Sequence, residues 1–339
     1  LLQKPALRDM QFWCSIETMT TTPQVFIIGS GAIGKALAAA LQLSGRPAFL
    51  VPYRTNGHPP ASITVTINLH DGTEHQVQVP CISLDEFRAT EGILVVCTKS
   101  TVNAQLATAL HQQAAGLPVI VLQNGLDIER PFLDLTTSNI YRCVLFATSQ
   151  PAADDKIIFR PVTASVIGTI RGEITELNTI VATLHTSFFN FTSTDTIATI
   201  TWKKAIINCA YNSICPLLET DNGIFYRNEK IQAIARQVVQ ECIQVATQRG
   251  VVLQENEVMD TLLQISRTAD GLFISTLQDI RNKRETEIAS LNFAVLRLAR
   301  EAGITASLSY TSLLGEMTLQ KSLLAQADVP AKKEMHDYQ

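Results

Sequence analysis

Apolar residues follow two rhythms along this chain, and the change between them falls near residue 195. Before it, short apolar runs recur: QVFII at 24–28, PAFLV at 47–51, ILVVC at 93–97 and PVIVLQ at 118–123. Runs this short and unbroken predict strands buried on both faces of a parallel sheet. Between them lie helical patterns, KALAAALQLSG after the first strand and another over about 101–115. Residues 63–79 (ITVTINLHDGTEHQVQV) instead alternate around a DG turn, which predicts a hairpin inserted on the sheet. Further strand signals fill 140–169, a helical pattern begins near 172, and FFNFTSTD at 188–195 reads as the last strand. From 196 onward the spacing is helical, with helices expected at about 197–218, 229–249, 255–268, 276–302 and 307–325.

The pattern therefore predicts an α/β N-terminal doubly wound sheet followed by an all-α C-terminal domain. The expected division is a flexible extension over 1–22, a sheet domain over 23–195, a helical domain over 196–325 and a frayed polar tail over 326–339. The extension has no sustained apolar core, so a secretory signal is not expected.

The first strand runs into GSGAIG, residues Gly29, Ser30, Gly31, Ala32, Ile33 and Gly34, and a helix follows. A glycine turn between strand and helix is the Rossmann-like dinucleotide-binding arrangement. Gly29 permits the tight turn, Gly31 lets the backbone approach a pyrophosphate at the helix N-terminus, and Gly34 allows close helix–strand packing. An NAD site usually carries an acidic residue at the end of the second strand for the ribose hydroxyl. This chain has Val51, Pro52, Tyr53 and Arg54 there. The guanidinium of Arg54 suits a 2′-phosphate, so NADPH is expected over NADH.

In open α/β sheets ligands gather beyond the carboxyl ends of the strands. ILVVC ends at Thr98, Lys99 and Ser100, and PVIVLQ ends at Asn124 and Gly125; Lys99 and Asn124 are candidates to face a cofactor, with Ser100 or Thr101 free to cap the next helix. In WKKAIINCAYN, Lys204, Asn208 and Asn212 recur at four-residue steps on an otherwise apolar helix. Each step turns only about 40°, so they form one polar stripe. A buried amide or ammonium without partners costs about 1–3 kcal/mol or more, so other side chains, water or a ligand must meet the stripe. Lys203 points about 100° away. In STLQDIRNKRETE, Ser275 with Gln278 fits a capping box, and a serine at a helix start can also receive a carboxylate; Glu287 is expected three turns along the same helix.

Composition removes several classes. With 46% hydrophobic and 17% charged residues and a net charge of −4, the chain is ordinary for a globular protein. It has no basic face for nucleic acid and no apolar run long enough for a membrane span. Seven cysteines without CxxC spacing read as thiols of a reducing, cytoplasmic compartment, and the six scattered histidines give no metal-ligand spacing.

Taken in order and spacing, GSGAIG, the strand ending in Arg54, CTKS, LQNG, WKKAIINCAYN and SxLQDIxxxRxTE resemble ketopantoate reductase (2-dehydropantoate 2-reductase), over roughly residues 24–320. The resemblance implies a Rossmann domain, a helical substrate and dimerisation domain, and an active site in the cleft between them. It implies NADPH-dependent reduction of ketopantoate to pantoate on the route to pantothenate and coenzyme A. By motif, Lys204 would be the catalytic lysine and general acid. Asn208 and Asn212 would line the substrate site, Asn124 would sit near nicotinamide and substrate, and Lys99 near the cofactor. Ser275 and Glu287 would bind the substrate's two ends, and a homodimer would fit the family. Two segments depart from the family's wording: CVLFATSQPAADDKIIFRP lacks a GPG-type stretch, and ITASLSY after Gly303 lacks a proline. Two other readings stand beside this one: a related reductase of another 2-oxo acid, and a non-catalytic NADP(H)-binding sensor.

Overall fold

A computed structural model describes residues 22–53, 58–68, 72–113, 116–133, 138–152, 156–304 and 306–327. Residues 1–21 of the expected N-terminal extension, Arg54 and residues 328–339 of the polar tail lie outside the described residues.

The chain opens with β1 (Val25–Ile28), whose four residues are all buried, and turns into α1 (Ala32–Leu43). Alanines give α1 high helix propensity and let it lie close on the sheet. It ends in a Schellman motif: Gly45, at φ +70°, donates to Gln42 O at 3.0 Å, and Arg46 N donates to Leu41 O at 2.9 Å. Next come β2 (Ala48–Val51), β3 (Ser62–Asn68), β4 (Glu74–Pro80), β5 (Ile93–Val96), α2 (Asn103–Gln113), β6 (Val119–Val121) and α3 (Arg130–Leu133). The first half closes with β7 (Ile140–Val144), β8 (Ala147–Pro151), β9 (Lys156–Pro161), β10 (Ser165–Arg171), α4 (Ile174–Leu184) and β11 (Phe191–Ser193).

Seven of these strands form one sheet in the order β11-β10-β7-β6-β5-β1-β2, parallel except for the antiparallel β7–β10 pair. Strand order reverses about β1, between β2 and β5, so the ends of β1 and β5 form the crevice where such sheets bind ligands. The hairpin expected on this sheet belongs elsewhere. β3 and β4 pair with β8 and β9 in a separate four-stranded sheet, order β4-β3-β9-β8, that covers α1. Local alternation identifies a hairpin but carries no information about which distant strand will join its edge; here β3 takes β9, some 90 residues on, in parallel register.

The second half is helical: α5 (Ile197–Leu218), α6 (Ile224–Arg227), α7 (Glu229–Gln248), α8 (Glu255–Thr268), α9 (Ser275–Arg281), α10 (Asn292–Glu301) and α11 (Ser309–Gln326). α5 is the central element, packed by α7, α9 and α11 and touching β7. Asn228 caps α7 by accepting from Lys230 N at 3.0 Å and Ile231 N at 3.3 Å. The helical core contains one residue from the sheet side, Leu126, from the loop after β6. Gly125 before it has φ +115°, and a Cβ there would lie 2.5 Å from Ser290 Cβ, so only glycine permits this approach.

The continuous helix expected over 276–302 is broken. α9 stops at Arg281, and Lys283 adopts φ +54°. Lys283 N donates to Ile280 O at 3.0 Å and Arg284 N to Asp279 O at 2.8 Å, a Schellman closure made with lysine in the position glycine usually takes. A single 3₁₀ turn over Ile288–Ser290 then leads into α10. Glu287 is therefore not three turns along α9; the break re-aims it toward the sheet.

Candidate active site

The glycine turn has the geometry that each glycine was expected to provide. Gly29 sits at φ +115°, with Thr98 N 2.9 Å from where a Cβ would be. A Cβ on Gly34 would stand 2.0 Å from Gly29 O. Around Gly31, at the N-cap of α1, nothing lies within 4 Å of that position. Two glycines are thus demanded by the protein's own packing and the third leaves open space before a helix N-terminus, a cradle that fits a pyrophosphate.

Beyond the ends of β5 and β6 a buried amide pair fixes the next residues. Gln123 Nε2 donates to Asn103 Oδ1 at 2.7 Å, Asn103 Nδ2 donates back to Gln123 Oε1 at 2.8 Å, and Gln123 also donates to Thr98 Oγ1 at 3.0 Å. Neither Ser100 nor Thr101 caps a helix; Thr101 donates instead to Glu285 at 3.3 Å. Asn124, held by its neighbour Gln123, donates to Glu287 Oε2 at 3.2 Å. Lys99 pairs with Asp279 at 2.8 Å and lies 4.0 Å from Glu287. Burial alone would lower the Lys99 pKa, but the carboxylates of Glu287 and Asp279 outweigh it and hold it above the ordinary lysine value. Arg284 braces Asp279 from the far side at 3.0 Å.

Lys204 and Asn208, on the face of α5 turned to the sheet, line a narrow cleft with Asn124, Gly125 and the end of β7. The cleft holds about 10 Å³ of free space, room for about one water. Lys204 Nζ donates to Leu145 O at 2.5 Å and lies 5.7 Å from the Phe146 ring centroid. Burial is the main reason its pKa falls from 10.5 to about 8, and the nearby Arg142 guanidinium acts in the same direction. Cys143, beside it on β7, is pushed up to about 12 by burial, so it stays a thiol.

The structure separates the other stripe residue from this cleft. Asn212 is buried and accepts from Thr276 Oγ1 at 2.6 Å, tying α5 to the start of α9. Ser275 is exposed and is the first residue of α9, not its cap; Ile274 holds the cap position, and Gln278 donates to Phe273 O at 2.8 Å in place of a capping box. Lys204, Asn208, Asn124, Glu287 and Lys99 are thus brought to one region, whereas Asn212 meets Thr276 and Ser275 is the exposed first residue of α9. Sequence reasoning missed Gln123, Arg142 and Asp279. LQNG contained Gln123 as a motif letter, but nothing local marked a buried arginine within the apolar run IYRCV. Among the described residues no group of histidine, cysteine or acidic side chains could hold a metal ion, and no helix is long and apolar enough to cross a membrane.

Comparison with known proteins gives this geometry its family. The model described as Ketopantoate reductase PanE/ApbA matches residues 25–172, and that described as Ketopantoate reductase PanE/ApbA C terminal matches 196–317. The chain belongs to the ketopantoate reductase family. Among curated relatives, the 2-dehydropantoate 2-reductase of Archaeoglobus fulgidus is 24% identical over 295 residues, covering 86% of this chain and 95% of the relative. Among solved structures, a PanE/ApbA family ketopantoate reductase from Ralstonia eutropha superposes with TM-score 0.77 at 23% identity, covering 89% of this chain and 99% of that one. D-mandelate dehydrogenase, solved with NADH and anilino(oxo)acetate, superposes with TM-score 0.75 at 20% identity over 89% of this chain and 99% of its own. These structures share the fold of this ketopantoate reductase family member, a Rossmann-like sheet with an all-α C-terminal part.

Proposed function

We propose that the protein reduces 2-dehydropantoate to pantoate with NADPH, with Lys204 as general acid. The observation that carries this reading is the placement of Lys204: an ammonium in a cleft between sheet and helices, facing Asn124, with its pKa drawn down to about 8. The dinucleotide fits the turn at Gly29, Ser30, Gly31, Ala32, Ile33 and Gly34, where the open space at Gly31 admits a pyrophosphate. When bound, it supplies the hydride that reaches C2 of the 2-oxo acid. Negative charge then grows on the carbonyl oxygen. Lys204 hydrogen-bonds that oxygen and transfers a proton to it, and a pKa near 8 makes the proton available at neutral pH without leaving the lysine uncharged beforehand. Asn124 and Asn208 orient the substrate, and Glu287, already bonded to Asn124, accepts from its hydroxyl end. Ser275 and Asn212 act from the α9 side, and Lys99, held by Asp279 and Glu287, faces the cofactor. Arg54 selects the 2′-phosphate of NADPH.

The assignment of domains follows the same line, with cofactor bound by residues 23–195 and substrate and dimer contacts supplied by 196–325. Exposed apolar residues on α11, among them Leu313, Met317, Leu323 and Leu324, support a homodimer through the helical part. The cysteines among the described residues are all free, which supports a reducing, cytoplasmic setting.

Initial-rate oxidation of NADPH with ketopantoate, beside NADH and other 2-oxo acids, tests the reading. Turnover confined to NADPH and ketopantoate upholds it. Turnover only with another 2-oxo acid moves the protein to a related reductase, and NADPH binding without any turnover moves it to a sensor.

A further inference from the structure

Arg142 is an unusual residue for the middle of a sheet. It lies on β7 with 3% of its surface exposed, and it lines the same narrow cleft as Lys204. Two groups hold it. Nη2 donates to Gly125 O at 3.0 Å, next to Asn124, and the Glu129 carboxylate is ion-paired to Nη1 at 3.7 Å. Burial works against the guanidinium's charge, and Glu129 supports it. The pair is a loose one: 3.7 Å is beyond hydrogen-bond reach, and neither Nε nor Nη1 donates to another protein group. A bidentate arginine–carboxylate pair cancels most of the guanidinium's field, whereas this single long contact cancels less. In so confined a cleft the remaining positive charge acts on its neighbour with little screening. That neighbour is Lys204. The titratable groups that face it are Arg142 and Cys143 from β7 and Glu287 from the turn before α10, while Lys203 points about 100° away. Burial is the largest influence on the Lys204 ammonium; Cys143 and Glu287 act to keep its proton, and Arg142 acts to release it.

We propose that Arg142 is a positioning residue whose charge, fixed beside Lys204 by Gly125 O and moderated by Glu129, readies the lysine to give up its proton. This deepens the reductase reading and rests on it for the reaction served. As hydride reaches C2 of the 2-oxo acid, the proton passes from Lys204 Nζ to the carbonyl oxygen. One cation then stands where two stood before, and the relieved repulsion favours the transferred state. Lys204 afterwards regains a proton from solvent. Arg142 itself touches neither substrate nor cofactor in this scheme. Glu129 sets how strongly it acts, because the carboxylate offsets part of the guanidinium's charge.

The test is trace acetylation of the full chain with acetic anhydride at pH 7 and pH 10, read at Lys204 by mass spectrometry with Lys203 in the same peptide as reference. Only the uncharged amine reacts, so the ratio of the two rates reports how readily Lys204 loses its proton, independent of its accessibility and of any turnover. Arg142→Met is expected to lower the pH 7 to pH 10 ratio about threefold or more, and Glu129→Gln, which leaves the arginine unopposed, to raise it about twofold. In 2-oxo acid reduction by NADPH, the alkaline decline of kcat should move to higher pH in the first variant and to lower pH in the second. Opposite signs uphold the proposal, since a merely structural arginine gives both variants the same loosened site. The proposal is overturned if both variants move the ratio in the same direction or if neither moves it. Should Arg142→Met fail to fold, a ratio unchanged or lowered in Glu129→Gln overturns it alone. Opposite labelling shifts without turnover of any 2-oxo acid would uphold the coupling of Arg142 to Lys204 and overturn the reductase reading.

Discussion

Replacing Lys204 with methionine should make the protein inactive and more stable at once. The unfolded lysine titrates near 10.5 and the folded one near 8. That difference corresponds to about 3 kcal/mol held against the charged form. Methionine removes this cost while filling similar space, and forfeits the bond to Leu145 O, a loss of about 1 kcal/mol. The net expectation at pH 7 is a gain of about 1–2 kcal/mol, because part of the lysine still reaches solvent and the full difference is not recovered. The sign of the pH dependence follows from the same pair of values. Between pH 8 and 10.5 the unfolded chain binds more protons at this site than the folded one, so the Lys204 contribution to stability rises with pH through that window and is flat below it. Buried thiols such as Cys143, pushed up to about 12, act oppositely above pH 9, so the variant is the proper baseline. Urea unfolding of both proteins at pH 7 and pH 10 isolates the Lys204 contribution: the stability gap should narrow by about 2 kcal/mol at the higher pH. In parallel, kcat for 2-oxo acid reduction should fall about 10²–10⁴-fold in the variant, and in the unaltered enzyme should decline as pH rises past about 8. A variant less stable than its parent at pH 7, or one keeping kcat within tenfold, would refute the reasoning.

Other expectations follow from separate parts of the fold. Lys203→Ala should retain normal turnover, since that side chain is turned about 100° from Lys204 on α5; loss of activity there would place the helix phase wrongly. Gly31→Ala should keep its thermal midpoint but bind NADPH at least tenfold more weakly, whereas Gly34→Ala, with a Cβ 2.0 Å from Gly29 O, should lower the midpoint by several degrees; equal effects on folding would contradict the assigned roles. Arg54→Ser should lower kcat/KM for NADPH about tenfold and leave NADH unchanged, a 1.4 kcal/mol effect that steady-state rates resolve. Glu241→Ala should cost about 2 kcal/mol in urea unfolding, because its buried carboxylate accepts from Tyr310 N at 3.0 Å and Thr311 N at 2.8 Å at the start of α11.

Much of this protein is local in origin, and that part was legible in the sequence. Four apolar runs became β1, β2, β5 and β6 because strands covered on both faces need no polar alternation. The glycine turn announced its conformation because a backbone at φ +115° and a 2.0 Å approach admit no side chain. The four-residue spacing of Lys204, Asn208 and Asn212 fixed a stripe because helix geometry is periodic. Tertiary structure decided what each element met. It sent the 62–80 hairpin to β8 and β9 in a second sheet, and it turned Asn212 toward Thr276 while Lys204 and Asn208 kept the cleft. It broke the expected long helix at Lys283, where no glycine gave warning, and thereby brought Glu287 to Asn124. It also buried Arg142 beneath the same cleft. Periodicity and propensity are properties of neighbours in the chain, whereas partners 60 to 180 residues apart are chosen by which buried polar groups can satisfy one another once the sheet and helices have packed.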